Sequence, residues 1–243
     1  MATKTGAELI DAVKSHLGDR DTGKIGSEEV SVAIRDSLNR SMYDIARKHS
    51  VNELEAIATI SVSSSAYEYA LPTTDTDSSA ILIKNILVAN MVKVGETNTY
   101  TLIRIGARQR YRAFSDVTNT QTGYPTHYTE FRGKLNLYPY PDTNYTITLY
   151  VNTWPTLFDE NNIATAHPFG EYFNDLIENF AVADCFYKLG QIDDATLFHA
   201  KYEVSLQRTV GAVRVKPDWD VPTLITSKSA DPASDPFVRH WGA

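Results

Sequence analysis

The sequence predicts an α+β fold that ends in an extended C-terminal arm. Three observations predict it. Apolar residues recur at helical spacing between residues 5 and 50, and again between 169 and 212. From 56 to 154 that period gives way to alternation and β-branched runs separated by turn residues. From 213 onward Pro217, Pro222, Pro232 and Pro236 break every possible helix.

The first region reads as two helices. Thr5 with Glu8 three residues on is a capping box, Leu9, Ile10, Val13 and Leu17 share one face, and Gly18 stands where a terminating glycine belongs. A polar loop, Asp19 to Gly26, follows. Ser27 then caps a second helix with Glu28 and Glu29 in its first turn. Val30, Ile34, Leu38, Met42 and Ile45 form its stripe, and Arg47, Lys48 and His49 suit its C-terminal dipole.

The middle region reads as strands. Ala56 to Val62 fits strand or helix by pattern alone. Tyr67 to Leu71 is a short strand that stops at Pro72. Ile81 to Val94 makes one or two strands, and Gly95-Glu-Thr-Asn98 turns the chain into another, Tyr100 to Ile105. Ala107 to Phe114 predicts a short helix. Thr126 to Phe131, Lys134 to Tyr138 and Tyr145 to Trp154 then form a meander, with turns at Arg132-Gly133 and Pro139 to Asn144. In its last strand Ile147, Leu149 and Val151 share one face, and Thr146, Thr148 and Tyr150 the other.

The third region is an antiparallel helix pair. Phe169, Phe173, Leu176, Phe180 and Tyr187 mark the stripe of its first helix, which Leu189-Gly190 ends. Asp193 caps the second, whose stripe is Ala195, Phe198, Tyr202, Leu206 and Val210. The remaining arm, 213–243, cannot fold on its own, yet it carries Trp219, Leu224, Ile225, Phe237, Val238 and Trp241. Large apolar anchors on such a segment point to docking on a partner, with wrapping back over its own subunit as the plainer alternative.

Composition narrows the function. With 23 Lys+Arg against 30 Asp+Glu the net charge is −7, which argues against gripping nucleic acid over a broad surface. The single cysteine, Cys185, excludes an intramolecular disulfide framework and a Cys-rich zinc site. No stretch approaches the apolar length of a membrane span, and the first residues lead into an amphipathic segment with no apolar leader. The 14 Tyr, 9 Phe and 3 Trp suit both cores and interfaces. Together these features favour a soluble cytosolic protein with partners.

The search for chemistry returns little. Phosphate loops and the nucleophile elbow are absent, and no histidine pair stands at i, i+4. Cys185 reads as a buried structural thiol, since Asp184 would oppose a thiolate. Asp19 to Glu29 echoes a calcium loop but is one residue short and loses a ligand. The pairs Asp159-Glu160 and Asp193-Asp194 are better explained by solvation and capping than by glycosidase chemistry. No cofactor or metal is expected. Arg104, Arg108 and Arg112, with Tyr138 and Tyr140, are candidate subunit contacts.

Three stretches carry a family resemblance: the capped helix Glu28 to Ala46; Gly123 to Asp142 with the strand running to Trp154-Pro155; and His167 to Ile177 with the helix pair to Leu206. In this order they resemble the head-to-tail adaptor (connector) proteins of tailed bacteriophages. The resemblance implies a discontinuous α-helical bundle (5–50 and 168–212) with an inserted antiparallel β-rich domain (56–155) and an extended docking arm (213–243). It also implies a homo-oligomeric ring, commonly a dodecamer, beneath the portal protein. Such a ring extends the DNA channel, holds the portal through the arm residues named above, and presents a surface to a downstream tail, nozzle or stopper protein. Double-stranded DNA would pass without sequence-specific contact, in a virion neck assembled in the bacterial host cytoplasm and without a membrane. Two other classes compete: a receptor- or carbohydrate-binding tail module, suggested by the tyrosine-rich meander, and a carboxylate-dependent polysaccharide hydrolase.

Overall fold

A computed structural model describes residues 2–22, 27–49, 51–64, 66–106 and 122–214, and side chains within these except at 19–22, 27–29 and 210–214. The first helix, α1 (Gly6–Thr22), opens on the reciprocal cap that its sequence predicts. Thr5 donates its N–H to Glu8 Oε2 at 2.8 Å, and Glu8 donates its N–H to Thr5 Oγ1 at 3.2 Å. The Thr5 N–H and, at 3.0 Å, the Thr5 hydroxyl both donate to Glu8 Oε2 and hold the Glu8 carboxyl below the usual carboxylate range. Gly18, at φ 71, interrupts the helical backbone where the helix is predicted to end. Residues 19–22 then resume helical backbone, where a polar loop is predicted: the glycine kinks the helix instead of ending it. The rest of that loop, the Ser27 cap and the calcium-like loop lie outside the described residues or side chains.

Helix α2 (Ser27–Lys48) buries its whole predicted stripe, Val30 through Ile45, with Arg47 and Lys48 in its last turn. The segment whose period was ambiguous is strand β1 (Glu55–Val62). It is followed by β2 (Glu68–Ala70) and by the single long strand β3 (Ile83–Lys93). Across the Gly95 turn, β3 pairs with β4 (Thr99–Thr101).

Two predictions fail here. The strand read from Tyr100 to Ile105 splits at buried Leu102. β4 stays with the first sheet, while β5 (Ile103–Arg104) joins a second. Leu102 donates its N–H to Ala89 O at 2.8 Å and Ile103 donates to Thr126 O at 2.9 Å, so consecutive residues bond to different sheets. The meander also fails. β7 (His127–Phe131) and β8 (Lys134–Tyr138) form the expected hairpin over Arg132-Gly133, whose φ values of 52 and 70 suit a type I′ turn. The next long strand, β10 (Tyr145–Thr153), leaves them and lies between β1 and β3. Pro139 and Pro141 lack N–H donors, so the connection cannot close a tight hairpin. It instead forms β9 (Tyr140–Pro141) beside β6 (Thr122–Gly123). The predicted helix 107–114 lies outside the described residues.

The sheets run β1-β10-β3-β4 and β2-β8-β7-β5. Ile60, Ile147, Leu149 and Met91 from the first share one core with Leu135, Leu137 and Tyr128 from the second. The opposite face of the first sheet is set by register: Ile57, Tyr150 and Val88 align in one row, Thr59, Thr148, Asn90 and Thr101 in the next, and Ser61, Thr146, Val92 and Thr99 in a third.

A single 3₁₀ turn, Glu171–Phe173, leads into α3 (Asn174–Lys188). Phe169 and Phe173 are therefore buried ahead of the helix, not within it. Tyr187, predicted in the stripe, is 50% exposed. Phe186 is buried in its place, because α3 packs against α1, α2 and α4 and buries a wide arc. The α3 terminus is a Schellman motif: Gln191 donates its N–H to Phe186 O and Gly190, at φ 77, donates to Tyr187 O. Helix α4 (Ile192–Arg214) starts before Asp193, which thus sits inside the first turn where a cap is predicted. Gln191 O instead accepts the first helical bond, from Ala195 N–H at 3.1 Å. Ring contacts Phe186–Phe198 and Phe180–Tyr202 make the pair antiparallel. A second core, separate from that of the sheets, joins buried residues 9–54 with 158–206.

The N-terminal residues lie across the return segment. Thr5 bridges Ala166, Gly6 donates its N–H to Thr165 O at 3.1 Å, and Ala7 donates to Ile163 O at 2.9 Å. A Cβ on Gly6 would stand 2.8 Å from Ile163 O and 2.9 Å from Phe158 Cδ1, so only glycine fits.

Candidate functional site

The most concentrated chemistry lies between helices. Ser37, on α2, has the neighbours of an activated nucleophile: Asp184 Oδ2 at 2.6 Å and Lys188 Nζ at 2.8 Å, both from α3. Its exposure is 0%, so no substrate reaches it. Burial alone would raise the Asp184 carboxyl, but the hydrogen bonds from Ser37 and Lys188 and the charges of Lys188 and Arg40 prevail and hold it low. Cys185, beside Ser37 at 3.7 Å, is buried, and burial pushes its thiol up. The cluster is a helix–helix lock.

Two further clusters act the same way. Tyr202, fully buried on α4, donates its hydroxyl to Asp44 Oδ2 on α2 at 2.8 Å, while Lys48 pairs with the same oxygen at 2.7 Å. Burial and the Asp44 charge push the Tyr202 hydroxyl up. Asn174 ties down the N-terminus: its Oδ1 accepts from Lys4 N–H at 3.0 Å and from His167 Nε2 at 2.7 Å, and its Nδ2 donates to Ala2 O at 3.1 Å. Burial pushes the His167 pKa down, which keeps the ring neutral. Glu178 accepts from Lys4 Nζ at 2.7 Å and meets His16 Nε2 at 3.0 Å.

A lysine and a buried threonine help fasten the sheet to the helices. Thr153, on β10, donates its hydroxyl to Leu54 O at 2.8 Å. Lys84, on β3, donates to the carbonyls of Ala46 and His49 at the end of α2, and its ammonium lies 5.6 Å from the Trp154 ring. Trp154 stacks on Tyr43 at 4.3 Å. None of these ties was foreseen from the sequence. The available signal was the polar residues Ser37, Asp44 and Asp184 set within otherwise apolar helical stripes.

The predicted carboxylate pairs are local devices. Asp159 Oδ1 accepts from Asn161 and Asn162 N–H at 2.8 and 2.9 Å, closing a turn. Asp193 and Asp194 occupy the first turn of α4. Among the described residues, no group of three or more His, Cys, Asp or Glu is placed to hold a metal ion, and no helix is long and apolar enough to cross a membrane.

Of the predicted contact residues, Arg104 lies exposed on β5 and pairs with Glu130 at 3.3 Å. Tyr140 stacks on Tyr67 at 4.6 Å. Tyr138 is 5% exposed, so its ring serves its own subunit and leaves little for a neighbour. Arg108 and Arg112 lie outside the described residues, as do the arm residues Trp219, Leu224, Ile225, Phe237, Val238 and Trp241.

The sequence model of the SU10 adaptor protein family matches residues 4–224. The chain belongs to the SU10 adaptor family. The match takes in both cores of this SU10 adaptor, all of its described strands and helices, and the first part of the arm through Trp219 and Leu224. It stops short of Ile225, Phe237, Val238 and Trp241. The protein is thus a phage adaptor, a structural component of the virion. No curated protein matches the chain.

Proposed function

We propose that this SU10 adaptor assembles as a ring beneath the portal, extends the DNA channel, and connects the capsid to the tail. The observation that carries this reading is the family match over residues 4–224. In this reading the helices and the β-rich region form a discontinuous bundle with an insertion. The two separate cores, one drawn from residues 9–54 and 158–206 and the other from 60–151, support that division. The arm holds the portal through Trp219, Leu224, Ile225, Phe237, Val238 and Trp241. The net charge of −7 suits a conduit in which phosphates slide without sticking, and a downstream tail component docks on the distal side.

The test is electron microscopy of the protein mixed with its portal, counting subunits around the axis. A closed ring, twelve-fold on this reading, coaxial with the portal is the expected image. A monomer decorating the portal's side, or a trimer, would sink the proposal. Removal of residues 217–243 should abolish portal binding and leave the circular dichroism spectrum and melt unchanged. Normal docking by the truncated chain would overturn the role of the arm.

A further inference from the structure

Helix α4 turns one side to the helical core, where Ala195, Tyr202 and Leu206 are buried and Phe198 packs beside them. On the opposite side Asp193, Leu197, Ala200, Val204 and Arg208 follow at spacings of four, three, four and four, which makes one continuous stripe. All of them are exposed, Leu197 at 53% and Val204 at 48%. The stripe is acidic at its start, where Asp194 stands beside Asp193, apolar in its middle and basic at its end. Asp193, Asp194 and Arg208 form no ion pair among the described residues. Lys201 flanks the middle but is turned onto its own chain, its ammonium 4.2 Å from the centre of the Phe198 ring.

We propose that this stripe docks the same stripe of a second copy, antiparallel, about a twofold axis between Ala200 and Lys201. The order of its residues selects that occupant. Leu197 and Val204 stand at equal distances from the axis, and so do Asp193 and Arg208. Each Leu197 therefore meets the Val204 of the other copy, and each acidic start meets a basic end, so every contact is made twice. Ala200, beside the axis, has no bulk beyond its Cβ and lets the helices approach to about 8 Å. The same stripes laid parallel would set acid on acid and base on base. Nucleic acid does not fit, because the stripe opens on carboxylates that repel phosphates. This contact is not the one that builds a ring. A ring of many copies joins two different surfaces of each subunit, whereas a twofold contact is complete at two copies. The inference thus adds a dimer of the free chain and does not depend on the ring reading. Asp193 to Arg208 spans only about 22 Å of helix, less than a standard interface covers, so the dimer opens readily when other contacts compete.

The experiment is sedimentation velocity of the full chain without portal, over a wide range of concentrations. The parent should pass from monomer to dimer as concentration rises. Arg208→Glu and Asp193→Arg each set like charges together at both ends of the contact, and each should weaken the dimer at least about tenfold. The double variant carrying both changes should recover it. Ala200→Cys supplies a second readout, because a residue meets its own copy only beside a twofold axis. Oxidised with diamide, it should give a covalent dimer that the parent, whose Cys185 is buried, does not form. A parent that stays monomeric, single reversals that leave the dimer intact, or a double variant no better than the singles would each overturn the assignment. So would a larger oligomer without the cross-link at position 200. The ring reading is judged separately, by images of the same chains mixed with portal, and stands or falls whatever the free chain does.

Discussion

Replacing Tyr202 by Phe removes one hydroxyl and nothing else from the contact between α2 and α4. The ring keeps its edge contact with Phe180, at 5.1 Å between centroids, and its place under Lys48, 5.5 Å away. The lost bond is buried at the donor and ends on a carboxylate, a class that contributes about 1.5–3 kcal/mol. Asp44 keeps Lys48 at 2.7 Å and Arg47 at 3.5 Å, so no charge is stranded and the cost falls near the lower end, about 1.5–2 kcal/mol. For a chain of this size that is a drop of roughly 3–8 °C in melting temperature. The effect should depend on pH. Burial acts to raise the Asp44 carboxyl, but the hydrogen bonds from Lys48 and Tyr202 and the nearby charges outweigh it, so its folded-state value lies below the ordinary 3.8. The stabilisation from Asp44 is therefore fully present above that value and is lost as pH falls through the lowered one. The Tyr202→Phe deficit should be largest near neutral pH and shrink once Asp44 is protonated, when only a neutral hydrogen bond is missing. Circular dichroism melts of parent and variant across that range measure it. Equal melts at neutral pH, or a deficit that grows on acidification, would refute the lock.

Other perturbations bear on other ties. Gly6→Ala forces a methyl into Ile163 and Phe158, and should cost about 1–3 kcal/mol and expose residues 2–7 to limited proteolysis; an unchanged digestion pattern would count against the close fit. Lys84→Met keeps the aliphatic stem but removes the donor to the Ala46 and His49 carbonyls, and should cost about 2 kcal/mol in a urea titration. A change below about 0.5 kcal/mol would mean that the sheet is held to the helices by other contacts.

Much of the architecture is visible in residue patterns where one physical rule acts alone. The α2 stripe has a single buried face, so period identifies it. The Arg132-Gly133 hairpin and the glycine terminus of α3 need left-handed backbone, and the residues that tolerate it stand there. Patterns fail where a distant partner decides. β10 alternates as a meander strand would, but which strands flank it depends on where two prolines send the chain. Tyr187 fits the α3 stripe by spacing, yet α3 is packed on several sides and Phe186 takes the buried position. The interhelical locks were invisible for a related reason. Ser37 and Asp184 are separated by 147 residues, and nothing local in either helix names the other. The large apolar residues of 213–243 are visible in composition, whereas which side chains share a sheet face emerges only from strand register.

The helical core joins residues 9–54 to 158–206, and this order has a consequence for synthesis. α2 ends at Lys48 and α3 begins at Asn174, about 126 residues later. At typical elongation rates of about 5–20 residues per second, the stripe of α2 waits roughly 6–25 s for the helix that covers it. During that interval Val30, Ile34, Leu38, Met42 and Ile45 lack the α3 residues that share their core. The nascent chain is therefore most open to chaperones, and to aggregation with its neighbours on a polysome, while the β-rich segment is being made. Slowing elongation should lower the soluble yield, and supplying a holdase should restore it.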